Sequence, residues 1–319
     1  MLSSPGNGAQ ICPPKIVRPS PELAEYVHAY QYWETSTGGG AHPFAISVFP
    51  LLTFYLGARC PAFEYVAGRT RLLPPVIALG PCDHRVADVM PIGHQKNFTV
   101  LFEPTAFYRL FCISPAEVRN HAYDCSDVLG GHIRDLHTKL CAAKTVEQMV
   151  GVAEEVLLNQ AATALPRSQM QHAARLILRS KGRSDLAAIS SRFGLSDSSW
   201  RRHFITEIGV TPKRYVRMLR FQHAVALKRG NPIRAWTDVG LEAGYYDQAH
   251  LIADFHGITR ANPSQFMREL EAVPHPLAGF AYDAAGDGPE RAGQSATLAR
   301  VGFPHPRTPG LGPVARLET

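Results

Sequence analysis

The sequence predicts a two-domain α+β protein, with a β-rich N-terminal domain carrying accessory helices and an all-α C-terminal domain. Three observations carry this reading. Short β-forming runs bounded by Gly, Pro and Asp are confined to the stretch before Glu103. Helical periodicity takes over from Thr105. The net charge of +6 is concentrated: residues 168–272 hold 16 Lys and Arg against 9 Asp and Glu, whereas residues 1–167 hold 13 against 14 and residues 273–319 hold 4 of each. A chain of 319 residues suits two domains at ~100–200 residues each. With 45% hydrophobic and 19% charged residues, the composition excludes a wholly disordered or collagen-like chain.

Taken in order, residues 1–15 are rich in Pro, Gly and Ser and are expected to be disordered. Residues 16–160 form the expected sensor domain. A helix is expected over Pro21 to Gln31. Strands are expected at Ala45 to Phe49, Leu51 to Leu56, Pro75 to Leu79 and Asn97 to Phe102. Thr105 to Phe111 and Thr145 to Leu158 read as helices, the second with Val146, Met149, Val150, Ala153, Val156 and Leu157 on one stripe. Residues 161–168 read as a linker, residues 169–272 as a helical domain, and residues 273–319 as a disordered tail with little periodicity. The segment from Met1 to Gly8 has neither a basic n-region nor an apolar h-region, and no run of eighteen apolar residues occurs. A cytoplasmic location without membrane contact is therefore expected. Cys12, Cys60, Cys82, Cys112, Cys125 and Cys141 include no C-x-x-C pair, and are expected as reduced thiols.

The basic segment reads as a string of short helices. Gln169 to Arg179 places Met170, Ala173, Ala174, Ile177 and Leu178 on one face. Ser184 is a candidate cap for a helix over Asp185 to Phe193, and Gly194 suits the left-handed position that ends it. Ser196 is placed to cap a third helix with Trp200 and Phe204 inward. Helix, glycine turn, helix is the pattern of a helix-turn-helix. Thr211-Pro212 then opens a linker helix running to about Leu227, with Val216, Leu219, His223 and Leu227 inward. The pattern returns in Asp238 to Ala243, Gly244-Tyr245-Tyr246, Asp247, Leu251, Phe255 and Pro263. Gly194 to Gly244 spans 50 residues, and Phe204 to Phe255 and Pro212 to Pro263 span 51 each. Such self-similarity marks two copies of one supersecondary unit.

These residues resemble the AraC/XylS family of bacterial transcription regulators. The first copy of the motif is Leu186-Ala187-Ala188 through Phe193-Gly194-Leu195-Ser196, then Phe204, Gly209-Val210-Thr211-Pro212. The second runs from Ala243-Gly244-Tyr245-Tyr246-Asp247-Gln248-Ala249-His250-Leu251 to Phe255 and Pro263-Ser264-Gln265-Phe266. The resemblance covers about a third of the chain and implies two helix-turn-helix units joined by a linker helix. More loosely, Phe102-Glu103-Pro104, Cys112-Ile113-Ser114-Pro115 and Leu129-Gly130 resemble the cupin-like sensor domain of such regulators.

The resemblance carries base contacts onto Ser198, Arg201 and Arg202, with Ser199 on the same expected outward face. Arginine is suited to this because its fork pairs bidentately with guanine O6 and N7. Lys213, Arg214, Arg217 and Arg220 are equally well read as phosphate contacts or as structural ion pairs. The second copy departs from the family: Gln248, Ala249, His250, Ile252 and Ala253 include no arginine. Gln248 and His250 remain candidates there, a solvated face being an equally good reading. Tyr245 and Tyr246 read as core. The implied function is sequence-specific duplex DNA binding by a transcription regulator without enzymatic activity, cofactor or metal. A small-molecule effector is expected in the N-terminal domain, with RNA polymerase and a second copy of the chain as further candidate partners. The alternative is a metal-dependent cupin-type enzyme tethered to a DNA-binding module. His42, Cys82, His84 and His94 would be its ligands, but they lack the paired His-x-His spacing of metal cupins.

Overall fold

The computed structural model describes residues 14–35, 41–44 and 46–272. The tail expected to be disordered, and residues 1–13, lie outside them. Strand β1 (Lys15–Val17) opens within the segment expected to be loose. It is followed by β2 (Val27–Thr35), β3 (His42–Pro43), β4 (Leu51–Tyr55), β5 (Pro61–Glu64) and β6 (Arg69–Leu72). Next come β7 (Val76–Leu79), β8 (Ala87–Val89), β9 (Gln95–Phe102), α1 (Ala106–Phe111), β10 (Tyr123–Asp124), α2 (Cys125–Leu129), α3 (His132–Ala142) and α4 (Val146–Ala161). One sheet has the order β1-β2-β9-β4-β7-β10 and the other β3-β8-β5-β6. All their pairings are antiparallel.

The helix expected over Pro21 to Gln31 is corrected. A single turn forms after Pro21, with the Val27 amide donating to the Leu23 carbonyl at 2.8 Å, and the chain then enters β2. The run Val27-His28-Ala29-Tyr30-Gln31-Tyr32-Trp33 is rich in β-formers and pairs with β9 from Val27 opposite Phe102 to Thr35 opposite Gln95. Cross-strand pairing outweighs the helical start.

Alternation along β9 sends its two faces to different neighbours. Phe98, Val100 and Phe102 pack under α1, α3 and α4 against Phe107, Leu110, Leu136, Leu140, Met149 and Leu157. On the opposite face, register aligns Thr99 with Gln31 and Thr53, and Asn97 with Trp33 and Tyr55. That face meets the second sheet, where Leu51, Ile77 and Leu79 join Phe44, Ala62, Leu73 and Val89. The space between the sheets is thus apolar toward β7 and polar toward β2 and β9.

The C-terminal domain comprises α5 (Gln169–Arg179), α6 (Leu186–Arg192), α7 (Asp197–Ile208), α8 (Pro212–Gly230), α9 (Trp236–Ala243), α10 (Gln248–Thr259) and α11 (Pro263–Ala272). Its N-caps follow the side chains. Ser168, Ser196, Thr211 and Asp247 accept from the amides of Gln171, Ser199, Arg214 and His250. The cap of α6 is Asp185 rather than Ser184, accepting from Ala187 and Ala188 at 2.9 and 3.3 Å. Ser184 turns back to the Ser180 hydroxyl.

The two domains are docked on each other. Val48, Phe49 and Leu101 share a core with Met170, Phe204 and Leu219, and Ile46 shares one with Phe221, Phe255 and Phe266. Gly209, at φ 94°, ends α7 with its Cα against Pro115. A Cβ there would fall 2.9 Å from the Pro115 carbonyl carbon, so both the backbone conformation and the approach demand glycine.

The segment between α4 and α5 is held by Arg109, which is 3% exposed. Its Nε donates to the Leu165 carbonyl at 3.0 Å and its Nη1 to Glu25 and Gln171 at 3.2 and 3.3 Å. Nη2 donates to the Tyr26 hydroxyl at 3.1 Å. The Leu165 amide returns a bond to the Arg109 carbonyl at 2.9 Å. Arg109→Met should lower stability by about 3 kcal/mol, because buried acceptors lose their charged donor while Glu25 keeps Arg167. Urea denaturation of the full chain, compared with Arg167→Met as the exposed control, checks this; equal midpoints for the two variants would refute it.

Candidate nucleic-acid interface

In the first unit, α6 and α7 meet across Gly194, whose φ of 64° makes the turn. Trp200 and Phe204 point inward, their rings 5.3 Å apart, with Phe204 against Tyr215 at 5.6 Å. Helical spacing then forces Ser198, Arg201, Arg202 and His203 outward, and all four are exposed. Ser199 is only half-buried, its amide tied to the Ser196 hydroxyl.

The second unit repeats the construction. Gly244, at φ 89°, links α9 to α10, and Asp247 caps α10 with its carboxylate 2.7 Å from the His250 amide. Leu251, Phe255 and Ile258 are inward; Gln248, Ala249, His250, Ile252, Ala253 and His256 are exposed. The tyrosine pair divides: Tyr245 is buried as expected, whereas Tyr246 is 88% exposed beside the start of α10. Its exposure corrects the reading of both as core.

Asp254 follows Ile252 and Ala253 in sequence but lies on the other face. It is buried and pairs with Arg217 of α8 at 2.6 Å. Arg217 is therefore engaged in an internal ion pair that ties α8 to α10. Arg220 donates to the Gly182 carbonyl at 2.8 Å. Arg214 lies 2.9 Å from Asp83 of the N-terminal domain. Burial pushes the Asp83 carboxyl up, but bonds from His84 and Asn120 and the Arg214 charge hold it below the ordinary carboxylate range. The neighbouring Arg85 reaches the second unit, its amide donating to the Ile258 carbonyl at 2.7 Å and its Nη1 pairing with Glu269 at 2.6 Å. Of the four basic residues read as phosphate contacts or ion pairs on α8, three have protein partners, and Lys213 stays exposed.

Beside the second recognition helix lies a groove of about 430 Å³, lined by Trp236, Gln248, Ile252, Asn262, Pro263, Ser264 and Arg268. Sequence reasoning singled out neither Trp236 nor Arg268. Their meeting depends on how α9 and α11 pack on α10, for which the sequence carries no local signal.

Of the residues read as enzyme ligands, His84 bonds Asp83 at 2.6 Å, His94 lies 3.0 Å from Glu34 and the Cys82 thiol donates to the His84 carbonyl at 3.3 Å. Among the described residues no three His, Cys, Asp or Glu side chains cluster as metal ligands, and no helix is long and apolar enough to cross a membrane. Cys60, Cys82 and Cys125 are buried free thiols; Cys112 and Cys141 are exposed ones.

Two tandem units on one linker helix define a helix-turn-helix DNA-binding domain. Residues 189–269 match the family described as "Helix-turn-helix domain". Among solved structures, ToxT from Vibrio cholerae is similar at 9% identity over 75% of this chain and 97% of its own, with a TM-score of 0.44. ToxT solved with a bound unsaturated fatty acid is similar at 8% identity over 76% and 96%, TM-score 0.45. The AraC-like transcriptional activator CuxR is similar at 16% identity over 61% and 76%, TM-score 0.23. No curated protein matches the chain.

His223 sits at the middle of this domain, buried on α8. Burial, with the charges of Lys181 and Arg183, lowers its imidazole from the usual value to about 4. The unfolded chain takes up this proton near ~6.5, so between that pH and about 4 the unfolded state binds more protons and stability falls with acid. Denaturation midpoints measured from pH 7 to 4 should fall less steeply for His223→Gln than for the parent. Parallel profiles would show that His223 does not drive the loss.

Proposed function

We propose that the protein is a cytoplasmic, sequence-specific regulator of transcription that binds duplex DNA through both helix-turn-helix units and is not an enzyme. The observation that carries this is the presence of two exposed recognition-helix faces on one packed body. α8 lends its first half to the core of the first unit and its second half to that of the second. Two such helices reach successive major-groove segments, ~34 Å apart on one face of DNA. Arg201 and Arg202 give the first unit charge-assisted base contact, with Ser198 and Ser199 beside them. The second unit reads with the neutral Gln248 and with His250. Arg217, engaged by Asp254, acts in positioning α10.

The N-terminal domain, residues 16–160, is the proposed effector-binding sensor. Support comes from the polar end of the space between its sheets. Gln31, Thr53, Gln95 and Thr99 are buried there. The Oε1 atoms of Gln31 and Gln95 and Oδ1 of Asn97 have no hydrogen-bond partner. Buried acceptors left unpaired cost ~1–3 kcal/mol each, so a small ligand bearing hydroxyl or amino donors would be stabilised there. Because Leu101 of the same β9 face belongs to the core shared with the DNA-binding domain, occupancy would bias the docking and hence the DNA-competent population. RNA polymerase and a second copy of the chain are the remaining proposed partners.

Selection of duplexes from a random library by the full chain should enrich one motif. On that duplex, whichever of Arg201→Ala and Arg202→Ala removes a base contact should cost ~1–3 kcal/mol and relax preference at one position, while removal of a phosphate contact should weaken all sequences alike. Gln248→Ala should cost less than the stronger of the two. Competition titration against single-base variants reads this out; no enriched motif would overturn the reading.

A further inference from the structure

The groove beside α10 has donors to offer, and the side-chain acceptors of Asn262 and Ser264 are engaged within the protein. Asn262 Oδ1 accepts from the Gln265 amide at 2.8 Å, which leaves the Asn262 amide group to donate. Ser264 Oγ accepts from Trp236 Nε1 at 3.1 Å, which leaves its hydroxyl proton to donate. Gln248 adds a carboxamide and Arg268 an exposed guanidinium, and no carboxylate lines the groove. A site of one cation and three donors fits an anion. Its remaining walls, Trp236 and Ile252, the latter 41% exposed, are apolar.

Two further facts identify the anion. Gln248 and Ile252 belong both to the groove and to the exposed face of α10, so the groove opens on the surface that the second unit turns to DNA. That face carries no Lys or Arg among Gln248, Ala249, His250, Ile252 and Ala253. Affinity for DNA comes largely from phosphate neutralisation, and α10 itself supplies little of it. We propose that this groove seats a backbone phosphate of duplex DNA, gripped by Arg268 and hydrogen-bonded by Asn262 and Ser264, with the adjoining deoxyribose against Ile252. The proposal rests on the DNA-binding reading and assigns the second unit its anchoring contact: the groove clamps the backbone and sets where α10 lies in its groove of DNA.

The test uses the full chain and its selected duplex. Dissociation constants over a salt series would be compared for the parent, Arg268→Ala, Arg268→Lys and Arg201→Ala. Arg268→Ala should make the slope of log affinity against log salt shallower by about 0.9, with the same fold loss on selected and scrambled duplexes. Arg268→Lys should restore the slope. Single methylphosphonate substitutions along each strand should reveal one phosphate whose neutralisation weakens the parent but leaves Arg268→Ala unchanged. An unaltered slope, or a loss confined to one base pair, would overturn the assignment. If Arg201→Ala weakens binding while Arg268→Ala is silent, the groove assignment alone falls; if the chain binds no duplex, the DNA-binding reading falls with it.

Discussion

The burial of α8 fixes the arrangement on which the rest depends. Ten of its residues are buried, too many for one side of a surface helix. Tyr215, Val216, Met218 and Leu219 complete the core of the first unit, while Phe221, Ala224 and Val225 complete that of the second. A helix of 19 residues is ~28 Å long at 1.5 Å per residue, so the same residues that stabilise each unit also set their separation. Rigidity here is a consequence of burial rather than a separate property.

That constraint also sorts the arginines. Arg217 and Arg220 emerge from α8 where it runs between the units, and each meets a nearby acceptor, the Asp254 carboxylate and the Gly182 carbonyl. Such pairs hold register. Arg201, Arg202 and Arg268 emerge from α7 and α11, away from the seam, and remain exposed. Positive charge in this domain is therefore of two kinds, and only the second kind is placed to meet phosphate or a base edge. Net charge alone could not have separated them.

Much of the helical half was legible in the sequence. The 3.6-residue stripes, the Ser196, Thr211 and Asp247 caps and the 50- and 51-residue spacings are local signals, and local contacts dominate a helical unit. Outward placement of Ser198, Arg201, Arg202, Gln248 and His250 followed from the inward positions of Trp200, Phe204, Leu251 and Phe255. The N-terminal half was less legible because strands are decided by partners far along the chain. β2 read as a helix for this reason: its helical start at Pro21 is local, while its pairing with β9 is not. Tyr246 misled for a related reason. It stays out because its neighbour Tyr245 fills the core position.

Least legible of all is the loop that carries Asp83 and Arg85. Adjacent in sequence but for His84, these two residues reach different units: Asp83 meets Arg214 at the start of α8, and Arg85 meets Glu269 of α11 and the end of α10. A single loop of the N-terminal domain thus spans the same two units that α8 joins. The contacts differ in kind, however. Those of α8 are apolar and buried, and persist whatever the solvent charge. Two of the loop's contacts join charges of opposite sign, Asp83 with Arg214 and Arg85 with Glu269. The Asp83 carboxylate is fully buried and is met by Arg214, His84, Asn120 and, at 3.9 Å, Arg119. Two ion pairs and one backbone bond from a single loop thus hold the N-terminal domain to both of the units that α8 joins.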